Sequence, residues 1–518
     1  MASICVVGSG PAGSFAAVEL AEAGHEVTIL ETGSGNRDSD AAAYVAAIHL
    51  PPGATHDLGF SRQIGGASNL WAGRVAALDP IDFEFRQWVP DSGWPIGHDA
   101  LAGYYDKAAG IMGVPSPAAT TAPVPAGWEK LLGGPLWPKQ FVWNRPPFNT
   151  ASYLGEAMPR LGGRLRLIAD AHVLRLVEEA DGGRVRAADA VIGGEAVQVS
   201  ADIFILAAGG IETPRIMLNS MGRNRNGIGE ATDLIGRYLS THAKADMGVL
   251  VLERRVPTTT PMFAVQPVGK AYLRTGLGLS AARQRALHGL NHCVQLSPLP
   301  EHRLGRWRRR GGGRAGADPS LLRGDAERHG ILAEAGLVAR VIARRLAGLP
   351  ATTRLFVCRA FLDQHPNRDN TVRLSERTDR YGYRKAEIDW RFSAADRHSV
   401  IAFFEELDAA FRQAGLGHVD HAGLTAMEHW PLRALHSHFM GTTRIGRDHT
   451  SGVVDANCRV FGLDNLYVAG PSTFPTAGYA NPYLTIAAMA LRLADHIARV
   501  HRAGHAPGRP FTILARES

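Results

Sequence analysis

The sequence predicts an α/β protein in two parts: a parallel β-sheet flanked by helices, and a second region built on antiparallel strands. Three observations carry this. Ile4 to Val7, Gly8 to Gly13, Ser14 to Ala23 and Val27 to Leu30 follow one another as strand, glycine turn, small-residue helix and strand. That is the order of a βαβ unit with parallel strands. Ile203 to Ala208 and Leu466 to Ala469 are further apolar runs that exit on glycine, as buried parallel strands do. Residues 246–300 and 352–392 instead hold short apolar stretches separated by turn residues, the pattern of an antiparallel sheet.

Length and composition bound what such a chain can be. A length of 518 residues suggests about two to four domains, or two large interleaved ones. Hydrophobic residues at 45% and charged residues at 20% are globular proportions, which excludes a fibrous or disordered chain. No apolar run reaches the roughly 18 residues of a membrane-spanning helix. Cys5, Cys293, Cys358 and Cys458 are far apart and form no CxxC pair, so neither a disulfide scaffold nor a structural zinc site is expected. The N-terminus enters a strand at once, without the basic and apolar regions of a secretory signal, so a cytoplasmic location is expected. Export by a signal-bearing partner subunit stays open. The net charge of +7 is concentrated at Arg303, Arg306, Arg308, Arg309, Arg310 and Arg314. The rest is close to neutral, so no nucleic-acid-binding surface is indicated.

The elements follow in order. Gly24 ends the first helix and Glu31 ends the second strand. Residues 35–62 are polar and punctuated by Gly and Pro, which predicts mostly loop. The segment Ile64 to Gly73 is also loop-like, and 112–150, rich in Pro and Gly, is expected to wrap the surface. Arg164 to Val177 and Val185 to Val199 alternate as strands; Ile211 to Leu218 follows Gly209-Gly210 as a helix. Met247 to Leu252, Arg354 to Cys358, Val372 to Leu374 and Ala386 to Trp390 are strands of the antiparallel sheet, with a hairpin turn at Asp379 to Gly382. The Arg/Gly-rich stretch 303–316 reads as a solvated insertion, with a lid or docking surface as the functional alternative. Ile331 to Ala347 has one broad apolar helix face. Ser393 to Asp396 opens a helix that runs to Ala414, and a long helix runs from Pro482 to Val500.

The chemistry begins at Gly8-x-Gly10-x-x-Gly13. These glycines permit a tight turn, a close approach of backbone to a pyrophosphate, and close helix–strand packing. Pro11 and Ala12 then start a helix whose free N–H groups face the phosphates. Glu31 stands where a carboxylate accepts from a ribose hydroxyl, which favours FAD or NAD over NADP.

The C-terminal block adds His438-Phe439-Met440-Gly441-Thr442, Gly462-Leu463-Asp464-Asn465-Leu466-Tyr467-Val468-Ala469-Gly470 and Ala480-Asn481-Pro482-Tyr483-Leu484-Thr485. Together with the Gly65-Gly66-Ala67-Ser68 loop and the Ala207-Ala208-Gly209-Gly210 strand exit, in this order, the chain resembles the glucose–methanol–choline (GMC) flavin oxidoreductases. It is most similar to the pyranose oxidase-like, sugar-oxidising branch, because Asn481 stands where many relatives have a second His. The resemblance implies a Rossmann-like FAD domain assembled from 1–85, 160–245 and 426–518. It implies a substrate domain from 86–159 and 246–425.

By the same resemblance His438 and Asn481 face the flavin. Alcohol oxidation needs a base for the hydroxyl proton, for which a neutral imidazole is suited. It also needs a donor for the developing alkoxide, which an Asn amide supplies. The resemblance brings Gly65, Gly66, Ser68, Asn69 and Trp71 towards the flavin ring. It brings Ala208, Gly209, Gly470 and the helix from Pro482 to the cofactor as well. A His just before the Trp carries covalent flavin in pyranose oxidases; here that position is Leu70, so FAD is expected to be non-covalent. The expected activity is oxidation of a secondary alcohol, a hydroxyl of a pyranose or glycoside, with oxygen, a quinone or a redox protein as electron acceptor. Sterol or other alcohol oxidation and a non-redox FAD-containing lyase remain alternatives, as does assembly into a homo-oligomer.

Overall fold

The structure is a computed structural model that describes residues 2–35, 43–57, 59, 61–121, 124–125, 127–220, 226–229, 233–299, 344, 347, 349–436, 438–501 and 510–515. The Arg/Gly-rich stretch 303–316 lies outside the described residues, as does nearly all of the helix expected at 331–347. Eight strands position the site: β1 (Ser3–Val7), β2 (Glu26–Leu30), β3 (Leu165–Ile168), β4 (Ile203–Leu206), β5 (Ala243–Pro257), β6 (Thr352–Leu362), β7 (Arg433–His436) and β8 (Leu466–Val468). Three helices do the same: α1 (Pro11–Glu22), α2 (Gly209–Asn219) and α3 (Tyr483–Val500).

One sheet is wholly parallel, in the order β8-β4-β1-β2-β3. β1 lies at its centre, and each of its residues is buried. That is why these strands read as continuous apolar runs rather than alternating ones. α1 packs against this sheet, and α3 packs against α1. α1 starts at Gly10 with Pro11 in its first turn, where the missing N–H costs nothing. A Cβ at Gly13 would lie 2.0 Å from the Gly8 carbonyl oxygen, so only glycine lets the helix sit this close to the strand exit.

The second large sheet is mostly antiparallel. Its order is Gln266–Val268, Ala271–Leu279, Cys293–Pro298, β6, β5, β7 and Thr55–Asp57; Leu136–Trp143 and Gly417–Asp420 join its sides. Ser393 caps the helix Ala394–Gln413 through a capping box with Asp396, and this helix buries Phe403, Phe404 and Phe411.

Three expectations change. The stretch 35–62 holds two strands, Val45–His49 and Thr55–Asp57, because tertiary pairing with distant strands overrides its Gly/Pro punctuation. Thr371–Thr378 and Arg384–Asp389 form the expected hairpin, but with Val45–His49 they make a separate three-stranded sheet. Leu136–Trp143 is a largely buried strand paired with Ala271–Leu279, not a surface wrap. Among the described residues no helix is long and apolar enough to cross a membrane.

Candidate active site

The C-terminal ends of β1, β2, β4 and β8 open into a cavity of about 860 Å³ whose opposite wall is the face of β5, β6 and β7. Parallel α/β sheets bind ligands at this edge. The volume is within the usual range for a cofactor or substrate pocket.

At the dinucleotide end, Gly8, Gly10, Pro11 and Ala12 form the wall. Nothing lies within 4 Å of a Cβ placed on Gly10, and α1 has neither a side-chain cap nor an acid in its first turn. Its free N–H groups therefore keep their partial positive charge for an anionic group. Glu31 is 6% exposed. Its Oε2 accepts from the N–H and hydroxyl of Ser9 at 2.8 and 2.6 Å, and its Oε1 from the Gly33 N–H at 2.8 Å. Oε1 has a second lone pair for a ribose hydroxyl. Burial pushes this carboxyl above the ordinary range, opposed by the Ser9 and Gly33 hydrogen bonds and by Arg62.

Further along, Gly66, Trp71, Ala208, Gly209, Gly470 and Pro482 line the same cavity. The Trp71 ring stacks on Tyr483 at 3.8 Å, and its indole N–H donates to the Phe148 carbonyl at 2.9 Å. Tyr483 opens α3, whose N-terminus has no side-chain cap and no acid in its first turn. The glycine-lined turn, the acceptor at Glu31 and two helix N-termini fit an FAD molecule along this wall.

Four expected residues stand behind the wall. Gly13 packs on Gly8, and a Cβ at Gly65 would lie 2.7 Å from the Ala151 nitrogen. Ser68 donates to the Gly65 carbonyl at 2.7 Å. Asn69 donates to the carbonyls of Ile64 and Gly66 at 3.0 and 2.9 Å. Their polar groups are used up in bracing the loop, which presents Gly66 and Trp71 instead.

The structure brings His438 and Asn481 to one cavity. Asn481 donates through Nδ2 to the Arg74 carbonyl at 3.0 Å, while its buried Oδ1 has no partner among the described residues. It is not the helix cap; that position is Pro482. The side chain of His436, two residues before His438, lies outside the described residues.

Behind His438 is a residue that no motif marks. His242 is 1% exposed and pairs through Nδ1 with His438 Nδ1 at 3.2 Å. Its Nε2 lies 3.1 Å from the Ala477 carbonyl oxygen, which can only accept. His242 Nε2 therefore carries its proton. Burial, aided by Lys244, pushes His242 down to about 4, so it is neutral and its Nδ1 is an acceptor. The proton between the rings then belongs to His438 Nδ1, and in neutral His438 the lone pair is on Nε2. Lys244, Asp246, Arg359, Phe361 and Arg433, also unmarked by motif, complete the cavity with Arg74. Their only trace in the sequence is Lys244 and Asp246, two places apart in one strand.

Comparison with known proteins agrees with this architecture. Residues 3–264 match the family described as FAD dependent oxidoreductase, and residues 366–490 match the family described as GMC oxidoreductase. Paromamine 6'-oxidase of Streptomyces fradiae is 26% identical over 96% of this chain and 91% of its own length. The 2-methyl-1,2-propanediol dehydrogenase of Mycolicibacterium austroafricanum is 23% identical over 96% and 95%. The crystal structure of pyridoxine 4-oxidase from Mesorbium loti shares the fold, with a TM-score of 0.54, 19% identity and coverage of 97% and 100%. The chain belongs to the FAD-dependent oxidoreductases and, within them, to the GMC family. It is an FAD enzyme that acts on CH–OH groups.

Proposed function

We propose that the protein oxidises a secondary alcohol, a ring hydroxyl of a pyranose or glycoside, to the ketone. The hydroxyl proton passes to Nε2 of His438. Asn481 is hydrogen-bonded to the alcohol oxygen and fixes the carbon. The C–H bond breaks with its electron pair, the hydrogen leaves as hydride, and the C–O bond becomes C=O. Bound FAD, held without a covalent link because Leu70 offers no nucleophile, supplies the hydride acceptor at N5. The two-part division of the chain, with the FAD domain over 1–85, 160–245 and 426–518, belongs to the same proposal.

The observation that supports it best is the His242–His438 hydrogen bond. It sets the tautomer a base requires, in the cavity that Asn481 shares. The names of relatives, an oxidase and a dehydrogenase, support alcohol oxidation and leave the electron acceptor open.

The test is anaerobic mixing of the holoenzyme with pyranoses, glycosides, sterols and simple secondary alcohols while flavin absorbance is followed. Bleaching by a sugar is expected. If dithionite bleaches the flavin but no alcohol does, the oxidation proposal fails. Readmitting air to the bleached enzyme then separates an oxidase from a dehydrogenase.

A further inference from the structure

The cavity wall contributed by the antiparallel sheet is cationic, and strand register fixes that character. Lys244 on β5 stands opposite Phe361 on β6 and opposite Arg433 on β7. Asp246, two residues on, stands opposite Arg359. Residues two apart on a strand share a face. All five side chains accordingly line the cavity. Arg74 reaches the same cavity from the loop whose carbonyl holds Asn481. Arg433 lies on the strand that leads into His438. The cations are therefore tied to the proposed catalytic pair. The glycine turn and Glu31, where a dinucleotide's phosphates and ribose fit, belong to the ends of the parallel strands.

The charges do not balance. On this wall four cations, Arg74, Lys244, Arg359 and Arg433, stand with one carboxylate, Asp246; the other carboxylates lining the cavity, Glu31 and Glu212, follow β2 and β4 of the parallel sheet. Arg359 already occupies the Asp246 carboxylate, through hydrogen bonds of 2.8 and 3.2 Å. Among the described residues no carboxylate pairs with Arg74, Lys244 or Arg433. Burial, with the repulsion of Arg433, Arg74 and Arg359, pushes the Lys244 ammonium down to about 8. Like charges gathered on one wall raise the energy of the folded chain, and an anion among them lowers it. Adjacent strands are about 4.8 Å apart. One carboxylate or phosphate can therefore touch both Lys244 and Arg433.

We propose that the alcohol oxidised here carries an anionic group, a carboxylate or a phosphate, bound by Lys244, Arg433 and Arg74 beside His438 and Asn481. This rests on the alcohol-oxidising function proposed above and names its substrate class: an acidic sugar such as a uronic acid or a sugar phosphate. The cationic wall disfavours amine-bearing sugars.

The holoenzyme is tested in two arms. The first titrates inorganic phosphate and, separately, malonate while the flavin spectrum is read. Saturable binding is expected, and binding weakened about ten- to a hundredfold in Lys244→Met at unchanged FAD content. Arg433→Gln, on the more exposed side, gives the same direction if Lys244→Met fails to fold. The preferred anion separates the carboxylate and phosphate forms of the substrate. The second arm compares anaerobic flavin reduction by glucose, glucuronate, glucose 6-phosphate and their methyl glycosides. The anionic member is expected to be preferred, and Lys244→Met to lower the anionic-to-neutral ratio of kcat/KM at least about tenfold.

No saturable anion binding, or a neutral sugar that outperforms its anionic counterparts, overturns the proposal. So does a Lys244→Met enzyme that changes only reoxidation, which would assign the cations to the electron acceptor. If no alcohol of either kind bleaches the flavin while phosphate still binds at Lys244, the oxidation proposal fails and the anion site stands.

Discussion

The pairing of His242 with His438 makes a prediction that a merely structural role for His242 does not. Replacing His242 with Phe removes the acceptor that holds the proton on His438 Nδ1. The interaction is one partly buried hydrogen bond of 3.2 Å to a neutral His242 ring, with a net value of about 0.5–1.5 kcal/mol. Stranding the buried Nδ1–H without a partner adds a cost of about 1–3 kcal/mol. His438 escapes part of that cost by moving its proton to Nε2, the tautomer unable to act as base. With about 1.4 kcal/mol per factor of ten, flavin reduction should slow about ten- to a hundredfold. The assay is anaerobic stopped-flow reduction of the holoenzyme, with substrate Kd and rate constant separated. Kd should change little, and FAD content should stay at the wild-type level. His242→Gln tests the cause, because its carbonyl accepts from His438 and its amide donates to Ala477. It should recover much of the rate. Wild-type kinetics in His242→Phe would refute the argument, as would equal damage in His242→Gln with FAD fully bound.

Other expectations follow from single contacts. Acid precipitation should release yellow FAD into the supernatant; colour held in the pellet would contradict the non-covalent attachment argued from Leu70. Gly13→Ala forces a methyl group to within 2.0 Å of the Gly8 carbonyl oxygen. It should cost about 1–3 kcal/mol through the shift of α1. Thermal melts and the flavin-to-protein absorbance ratio would show both losses, and an unchanged ratio would refute the role given to that close approach. Asp82 is fully buried, and burial first, then Asp79 and Asp363, raise its carboxyl above the ordinary value. Between the ordinary value and the raised one, the folded chain holds a proton that the unfolded chain has lost. Stability should therefore fall as pH rises through that window. Asp82→Asn should flatten this part of the melting-temperature profile; an unchanged slope would place its origin elsewhere.

The parts of the site legible in the sequence are those where chemistry and local geometry coincide. Gly8, Gly10 and Gly13 serve one turn between adjacent elements, so their spacing alone gives the cradle. Glu31 is equally local, since its partners are Ser9 and Gly33. His438 and Asn481 were reached through motif order rather than through any property of the residues themselves. His242 escaped because its partner is 196 positions away and neither residue sits in a shared pattern. The cationic wall escaped for a related reason. Lys244, Arg359 and Arg433 come together only through strand register, and β5 starts at Ala243, before the apolar run that begins at Met247. Ser68 and Asn69 were drawn to the flavin by their loop, yet small polar side chains in a tight loop are consumed by its own carbonyls. Val45–His49 was hidden because it is half-exposed, short and pairs in parallel with a strand more than three hundred residues away.

The central claim is that His438 takes the hydroxyl proton. Its most direct test is the anaerobic rate of flavin reduction in His438→Ala, measured with whichever alcohol best bleaches the unmodified holoenzyme. The prediction is full FAD content, flavin still reducible by dithionite, and reduction by the alcohol slowed at least about a hundredfold. A near-normal rate with FAD bound would contradict the account and move the base to another residue.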